Sequence, residues 1–230
     1  MNTTMTGIKA LRILLCLALI FVLGACGKTG PQTRAVYMLI DTSGTYTEQL
    51  NKAQTIINYL LATMESGDSL AVARIDSGSF SEKDIIAKVT FDDRPSVATG
   101  QKRSFRQQVD DFVKTVKGSP YTDISGGMLQ AVEFLNETGA DKKNILVFSD
   151  LKEEIKKGNI RDFPLPMEGI EVVALNVTKL RSDNVDPRQY LSRLDDWDHK
   201  VVTGGGQWRV VNDLDRLDTI LDGAGDKNKS

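Results

Sequence analysis

Cysteine and histidine are scarce in this chain of 230 residues, which has two Cys and one His. A structural zinc centre needs four such ligands together, so none can be built here. A surplus of one charge is also missing. Lys and Arg number 29 against 31 Asp and Glu, for a formal charge of −2. Nucleic-acid binding calls for a basic stripe, so no nucleic-acid partner is expected. There is no internal repeat and no low-complexity tract. Gly204-Gly205-Gly206 precedes a strand-like run rather than a helix, so it reads as a turn and not as a phosphate-cradling loop. What remains is 40% hydrophobic and 26% charged, the usage of an ordinary globular chain with room for one sizeable domain.

A long apolar run is lacking as well. Lys9 and Arg12 precede a single uninterrupted stretch, Ile13 to Leu23, which is too short to span a bilayer. It suits the apolar core of a secretion signal. The stretch ends in Leu23-Gly24-Ala25-Cys26, which resembles the lipobox of bacterial lipoproteins: an aliphatic residue, two small ones, then the Cys to be acylated. That resemblance implies a signal peptide over residues 1–25 and a lipid on Cys26. A short linker over 26–33, a domain over 34–222 and a polar tail over 223–230 complete the expected organisation. Cys16 leaves with the signal, so no disulfide is available afterwards. The residues from Gly27 to Arg34 reach roughly 28 Å when fully extended, which keeps the domain near the membrane. Gly27 is not the Asp of an inner-membrane retention signal. The expected location is the bacterial envelope, at the outer membrane facing the periplasm if the cell is Gram-negative.

Beyond the linker, apolar runs alternate with amphipathic stretches. Ala35–Ile40, Ser69–Ile75, Ile85–Phe91, Asn144–Ser149, Ile170–Val177 and Gln207–Val211 read as six strands. Leu50, Ala53, Ile57, Leu60, Leu61 and Met64 recur at helical spacing. So do Phe105, Val109, Phe112, Val113 and Val116, and then Ile124, Met128, Ala131, Val132 and Leu135. Asp186-Pro187 has the form of an N-cap followed by proline at the first helical position, ahead of Tyr190, Leu191, Leu194 and Trp197. Asn212 is expected to cap a last helix carrying Leu214, Leu217 and Ile220. The loop Asp76–Asp84 is too short for a helical crossover, so the strands it joins should be antiparallel. The fold expected is α/β, a doubly wound, mostly parallel six-stranded sheet flanked by helices, with one antiparallel edge strand. Ligands of such sheets bind at the carboxyl ends of the strands.

Three loops at that end carry oxygen ligands. Asp41-Thr42-Ser43-Gly44-Thr45 follows the first strand, Tyr121-Thr122-Asp123 precedes the third helix, and Ser149-Asp150-Leu151 follows the fourth strand. In this order they resemble the von Willebrand factor A-type domain. That family holds a metal-ion-dependent adhesion site on a D-x-S-x-S loop, a Thr in a second loop and an Asp in a third. The resemblance implies Asp41, Ser43, Thr45, Thr122 and Asp150 as metal ligands. Thr45 stands where Ser is commoner, and Leu151 stands where Gly often follows the third-loop Asp. As a simpler alternative, Asp41 and Asp150 cap following helices and Thr122 caps the third.

The donor chemistry fits a hard cation such as Mg²⁺, with Mn²⁺ or Ca²⁺ as alternatives, because every donor is oxygen. Two carboxylates only just balance the ion's charge, which leaves it electrophilic towards a protein partner that presents an Asp or Glu. A non-enzymatic, lipid-anchored binding protein is the expectation. A magnesium-dependent hydrolase is the first alternative: Asp41 after a buried strand resembles the haloacid dehalogenase type, but Ser43 replaces its second aspartate. The three loops bring no evident Lys or Glu as general base, and His199, expected at the surface, has no partner. A structural lipoprotein with a non-essential metal site is the second alternative. Asp195, Asp196 and Asp198 read as a solvated helix face, and Trp197 and Trp208 as core.

Overall fold

The computed structural model describes residues 32–215, apart from Ser79, Asn159, Ile160 and Asp162 and the side chains of Thr45 and Thr47. The expected signal, Cys16, Cys26, most of the linker, Leu217, Ile220 and the polar tail lie outside the described residues. None of the described helices is long and apolar enough to cross a membrane.

Runs of β-branched and aliphatic residues form the strands. In chain order the elements are β1 (Arg34–Asp41), α1 (Leu50–Thr63), β2 (Ser69–Ile75), β3 (Ile85–Thr90), α2 (Pro95–Thr115), α3 (Ile124–Thr138), β4 (Lys142–Phe148), β5 (Ile170–Leu175), α4 (Arg188–Thr203) and β6 (Gln207–Val211). Short 3-10 turns precede α1, β3 and α4. The sheet runs β3-β2-β1-β4-β5-β6. All pairs are parallel except β2 with β3, so the one antiparallel strand lies at the edge, as the short loop before it requires.

Strand periodicity sorts β1 between two cores. Val36, Met38 and Ile40 face α1 and α2, where Ile56, Leu60, Phe105 and Val109 are buried. Ala35, Tyr37 and Leu39 face α3 and α4, where Met128, Leu135, Trp197 and Val201 are buried. A strand covered on both faces has no position for a solvent-exposed residue, which is why β1 reads as a continuous apolar run. Trp208 is partly buried against the second core, and the Gly204 to Gly206 segment is a turn. His199 and the acidic residues Asp195, Asp196 and Asp198 are exposed on α4.

Several boundaries move. α2 starts at Pro95, well before the first residue of the periodic stripe, because proline suits the first helical turn. α4 starts at Arg188, one residue later than the Asp186-Pro187 pattern suggests. Pro187 takes the cap position, and Asp186 accepts the Arg188 N–H at 3.2 Å. β5 stops at Leu175, where Asn176 turns left-handed with φ +55°. Asn212 uses its side-chain oxygen across the sheet, accepting the Val177 N–H at 2.7 Å.

Candidate metal-binding site

β1 and β4 are neighbours at the centre of the sheet, and the chain leaves them in opposite directions, β1 towards β2 and β4 towards β5. Connections that diverge in this way open a crevice beyond the carboxyl ends of the two strands. Asp41 is the last residue of β1, and Ser149-Asp150 directly follows β4. The topology therefore places the two predicted aspartates on either side of this crevice.

Asp41 is fully buried, and both of its oxygens are engaged. Oδ1 accepts the Ser43 N–H at 2.7 Å, and Oδ2 accepts the Ser149 hydroxyl at 2.6 Å. The first bond is a local Asx turn that folds the loop back on itself. The second ties the first loop to the third. Ser149 is buried too, and its Oγ accepts the Leu151 N–H at 3.0 Å. Asp41 thus orders two loops and caps no helix. Thr42, between the two ligand positions, turns inward and donates to Ile75 O at 2.9 Å, pinning the loop to the end of β2.

The second loop is attached through its backbone. Ser119 N–H donates to Thr42 O at 2.8 Å. Thr122 exchanges two backbone hydrogen bonds with Glu154, at 2.8 and 3.0 Å, and so joins the second loop to the third. Thr122 is not the N-cap of α3. That position belongs to Asp123, whose carboxylate accepts the Gly126 N–H at 2.9 Å and an ion pair from Arg161. The capping alternative fails for Thr122, whose side chain is left to the cleft.

Asp150 does not cap a helix either, because the chain from Leu151 to Gly169 contains none among its described residues. Its Oδ1 accepts the Lys152 N–H at 2.9 Å. Burial pushes the Asp150 carboxyl above its ordinary value. The bond from Lys152 opposes this, the charge of Asp41 adds to it, and Arg193 and Lys152 offset part of it. Leu151 answers the question posed by the missing Gly: it takes the left-handed path itself, at φ +65°. Its side chain is buried in the core beneath α4, and its carbonyl accepts the Trp197 indole N–H at 3.1 Å.

Ser43, Thr122 and Asp150 line one cleft of ≈ 330 Å³, together with Gly44, Ser119, Pro120, Lys152, Glu154 and Leu180. Asp41 stands behind it, bonded to Ser43 and Ser149 on its two sides. The Thr45 side chain lies outside the described residues, so four of the five predicted ligands have a described position. Among the described residues no three His, Cys, Asp or Glu converge as a ligand group. The predicted set does not rely on such a triad, having two carboxylates supplemented by hydroxyls. The donors present fit a hard divalent cation. All are oxygens, and burial together with the nearby charge of Asp41 makes Asp150 costly to ionise, which a cation would offset.

Two features were not anticipated. Lys152 and Glu154 line the cleft, although no Lys or Glu was expected beside the three loops. They pair with each other at 2.5 Å and are both about half exposed, so Glu154 does not stand as an isolated base. Arg193 reaches from α4 to donate to Asp150 O at 3.3 Å and grips the buried Asp183 with two bonds of 2.9 and 2.8 Å. A Lys–Ser pair also occurs: Lys200 Nζ lies 2.5 Å from Ser125 Oγ, but Ser125 is fully buried and its N–H is held by Glu153, so it is no accessible nucleophile.

The architecture is the one expected of a von Willebrand factor A-like domain: a six-stranded, mostly parallel sheet with one antiparallel edge strand and helices on both faces. No family model and no curated relative matches the chain. Solved structures similar to it include the pilus adhesin SpaC from Lactobacillus rhamnosus GG, at 13% identity and TM-score 0.48, covering 84% of this chain and 29% of that one. An aerotolerance-related membrane protein from Bacteroides fragilis is similar at 16% identity and TM-score 0.48, covering 83% of this chain and 96% of that one. A von Willebrand factor type A protein from Catenulispora acidiphila is similar at 12% identity and TM-score 0.47, with coverage of 82% and 41%. The chain thus spans under a third of the adhesin and under half of the Catenulispora protein.

Proposed function

We propose that this chain is a non-enzymatic binding protein of the bacterial envelope, anchored by a lipid on Cys26, that captures a protein partner through a divalent cation. The observation that carries the reading is the convergence of Ser43, Thr122 and Asp150 from three separate loops on one cleft, with Asp41 behind it bonded to Ser43 and Ser149. Thr45 completes the set by its place in the D-x-S-x-T loop. These residues would hold Mg²⁺, or Mn²⁺ or Ca²⁺ in its place. Bound there, the cation would act as a Lewis acid towards an acidic side chain of the partner. Asp41 and Asp150 supply the negative charge, and Ser43, Thr45 and Thr122 supply neutral oxygens that leave the cation underneutralised. The hydrogen bonds of Asp41 to Ser43 and Ser149 keep the first and third loops in register with each other.

Orientation follows from β1. The chain enters that strand at Arg34 and reaches the site at Asp41, roughly 23 Å further on at the usual rise. The site thus lies at the end of β1 opposite Arg34, where a protein partner would reach it. Pairing of Lys152 with Glu154 and burial of Ser125 favour binding over hydrolysis.

Affinity capture from envelope extracts, with and without chelator, tests the reading when run with the native chain and Asp41→Ala. A partner retained only with divalent cation, and lost in Asp41→Ala, is the expected result. Capture that survives both changes would overturn it. Magnesium-dependent hydrolysis of a phosphate ester, abolished in Asp41→Ala, would support the enzyme reading instead.

A further inference from the structure

A second cleft lies at the far edge of the sheet, between α3 and β3. It is small, ≈ 180 Å³, and combines aromatic and acidic walls. Phe80, on the loop after β2, is 47% exposed, although large apolar side chains usually find cover. Phe134 sits beside it, half buried and packed edge-on against Tyr37 at 5.5 Å between ring centroids. Glu133 and Glu137 complete that wall. They stand one helical turn apart on α3, both are exposed, and neither forms an ion pair among the described residues. Like charges at this spacing repel, and no described cation pairs with either. The only lysine lining the cleft, Lys88, is occupied by Glu82 at 3.0 and 3.2 Å.

Gln130 adds a hydrogen-bonding group to the same cleft. It is only 8% exposed and lines the cleft. Its Oε1 accepts the Tyr37 hydroxyl at 3.1 Å, while its Nε2 donors have no partner among the described residues. The Nε2 group reaches the open side of the cleft, where it can donate to an acceptor such as a peptide carbonyl in place of water.

We propose that this cleft receives a single Lys or Arg side chain of a protein partner. The aliphatic stem would lie on Phe80 and Phe134, the cationic head would meet Glu133 and Glu137, and the adjoining backbone carbonyl would accept from Gln130. Size decides against a small-molecule ligand, because such pockets usually run to about 300–1,000 Å³. Chemistry decides the sign, since exposed aromatic faces and uncompensated carboxylates both attract cations and repel anions. The surface is separate from the proposed metal cleft, shares no lining residue with it, and requires no metal.

The test is fluorine NMR of the full chain in detergent, labelled with fluorophenylalanine at its 8 Phe positions, with the Phe80 signal assigned by Phe80→Leu. The probes are the capped tripeptides acetyl-Gly-Lys-Gly-amide and acetyl-Gly-Arg-Gly-amide, with the norleucine analogue as control. Saturable shifts of the Phe80 and Phe134 signals with the cationic peptides only, weakened about tenfold or more in Glu133→Gln/Glu137→Gln, are expected. The other Phe signals of the double variant should stay in place, which verifies its fold. Shifts that persist with chelator and in Asp41→Ala establish independence from the metal-dependent reading. Absent shifts, equal shifts with norleucine, undiminished binding by the double variant, or loss on chelation would each overturn the proposal.

Discussion

Leu151 concentrates a conflict between backbone and side chain. Its φ of +65° is a conformation that L-residues adopt at a cost of about 1–2 kcal/mol, and glycine adopts freely. Its side chain, only 2% exposed, packs in the core under α4. Removing a buried leucine side chain costs about 2–5 kcal/mol, which outweighs the strain. Leu151→Ala keeps the strain and loses the packing, whereas Leu151→Gly loses the packing but relieves the strain. Urea unfolding should therefore find both variants destabilised, with Gly more stable than Ala by about 1 kcal/mol, the reverse of the order at ordinary positions. Sequence reading located this residue as a departure from the family pattern. It had no means of telling which path the loop takes, because that depends on the cavity beneath α4 that the side chain fills.

Arg193 shows how one element disciplines its neighbours. From α4 it holds Asp183 in the short 3-10 turn Arg181–Asn184 and reaches the carbonyl of Asp150 in the third loop. The Asp183 side chain is fully buried and Arg193 is mostly so. Removing one partner of such a pair leaves an uncompensated buried charge, so Arg193→Ala should cost about 3 kcal/mol or more in equilibrium unfolding. The guanidinium also holds the Asp183 carboxyl down, from an ordinary 3.8 to about 2. A carboxyl whose folded value is depressed contributes stability above its unfolded value and loses it as pH falls towards the folded one. The native chain should therefore lose stability between about pH 4 and pH 2, and Asp183→Asn should show a shallower loss over that window in acid titration followed by circular dichroism. Nothing in the local sequence ties residue 193 to residue 183, let alone to residue 150. The intervening Asp186-Pro187 pattern announced the helix, but not the direction in which its arginine points.

At the scale of the whole molecule, the sheet order places the candidate site. Asp41 and Asp150 are far apart in sequence and meet only because β1 and β4 are adjacent and their connections diverge. Asp150, buried and close to the charge of Asp41, carries a standing cost in the absence of a cation. Any ion that binds the folded chain alone must then stabilise it by mass action, by about 2.7 kcal/mol at a hundred times its dissociation constant. Thermal melts in millimolar MgCl₂ should therefore run several degrees above those in chelator, and Asp41→Asn and Asp150→Asn should abolish the difference. An unchanged melting temperature for the native chain would count against a metal at this site.

Among the described residues, the six strands, the four helices, the antiparallel edge and the three oxygen-bearing loops were legible in the sequence, whereas the last helix expected after Asn212 lies mostly outside them. Local pattern and connection length are enough to specify them: a strand buried on both faces must be apolar throughout, and nine residues between strands cannot make a helical crossover. The assembly of those loops was a matter for tertiary structure alone. Asp41 binding Ser149, Thr122 pairing with Glu154 and leaving the cap of α3 to Asp123, and Lys152 and Glu154 entering the cleft all join residues distant along the chain. Hydrogen bonds and charges act over a few ångströms of space, and only the packed sheet sets which groups fall within that range. The scarcity of cysteine and histidine told at the outset which metal chemistry was excluded, and the fold then brought Ser43, Thr122 and Asp150 to one cleft.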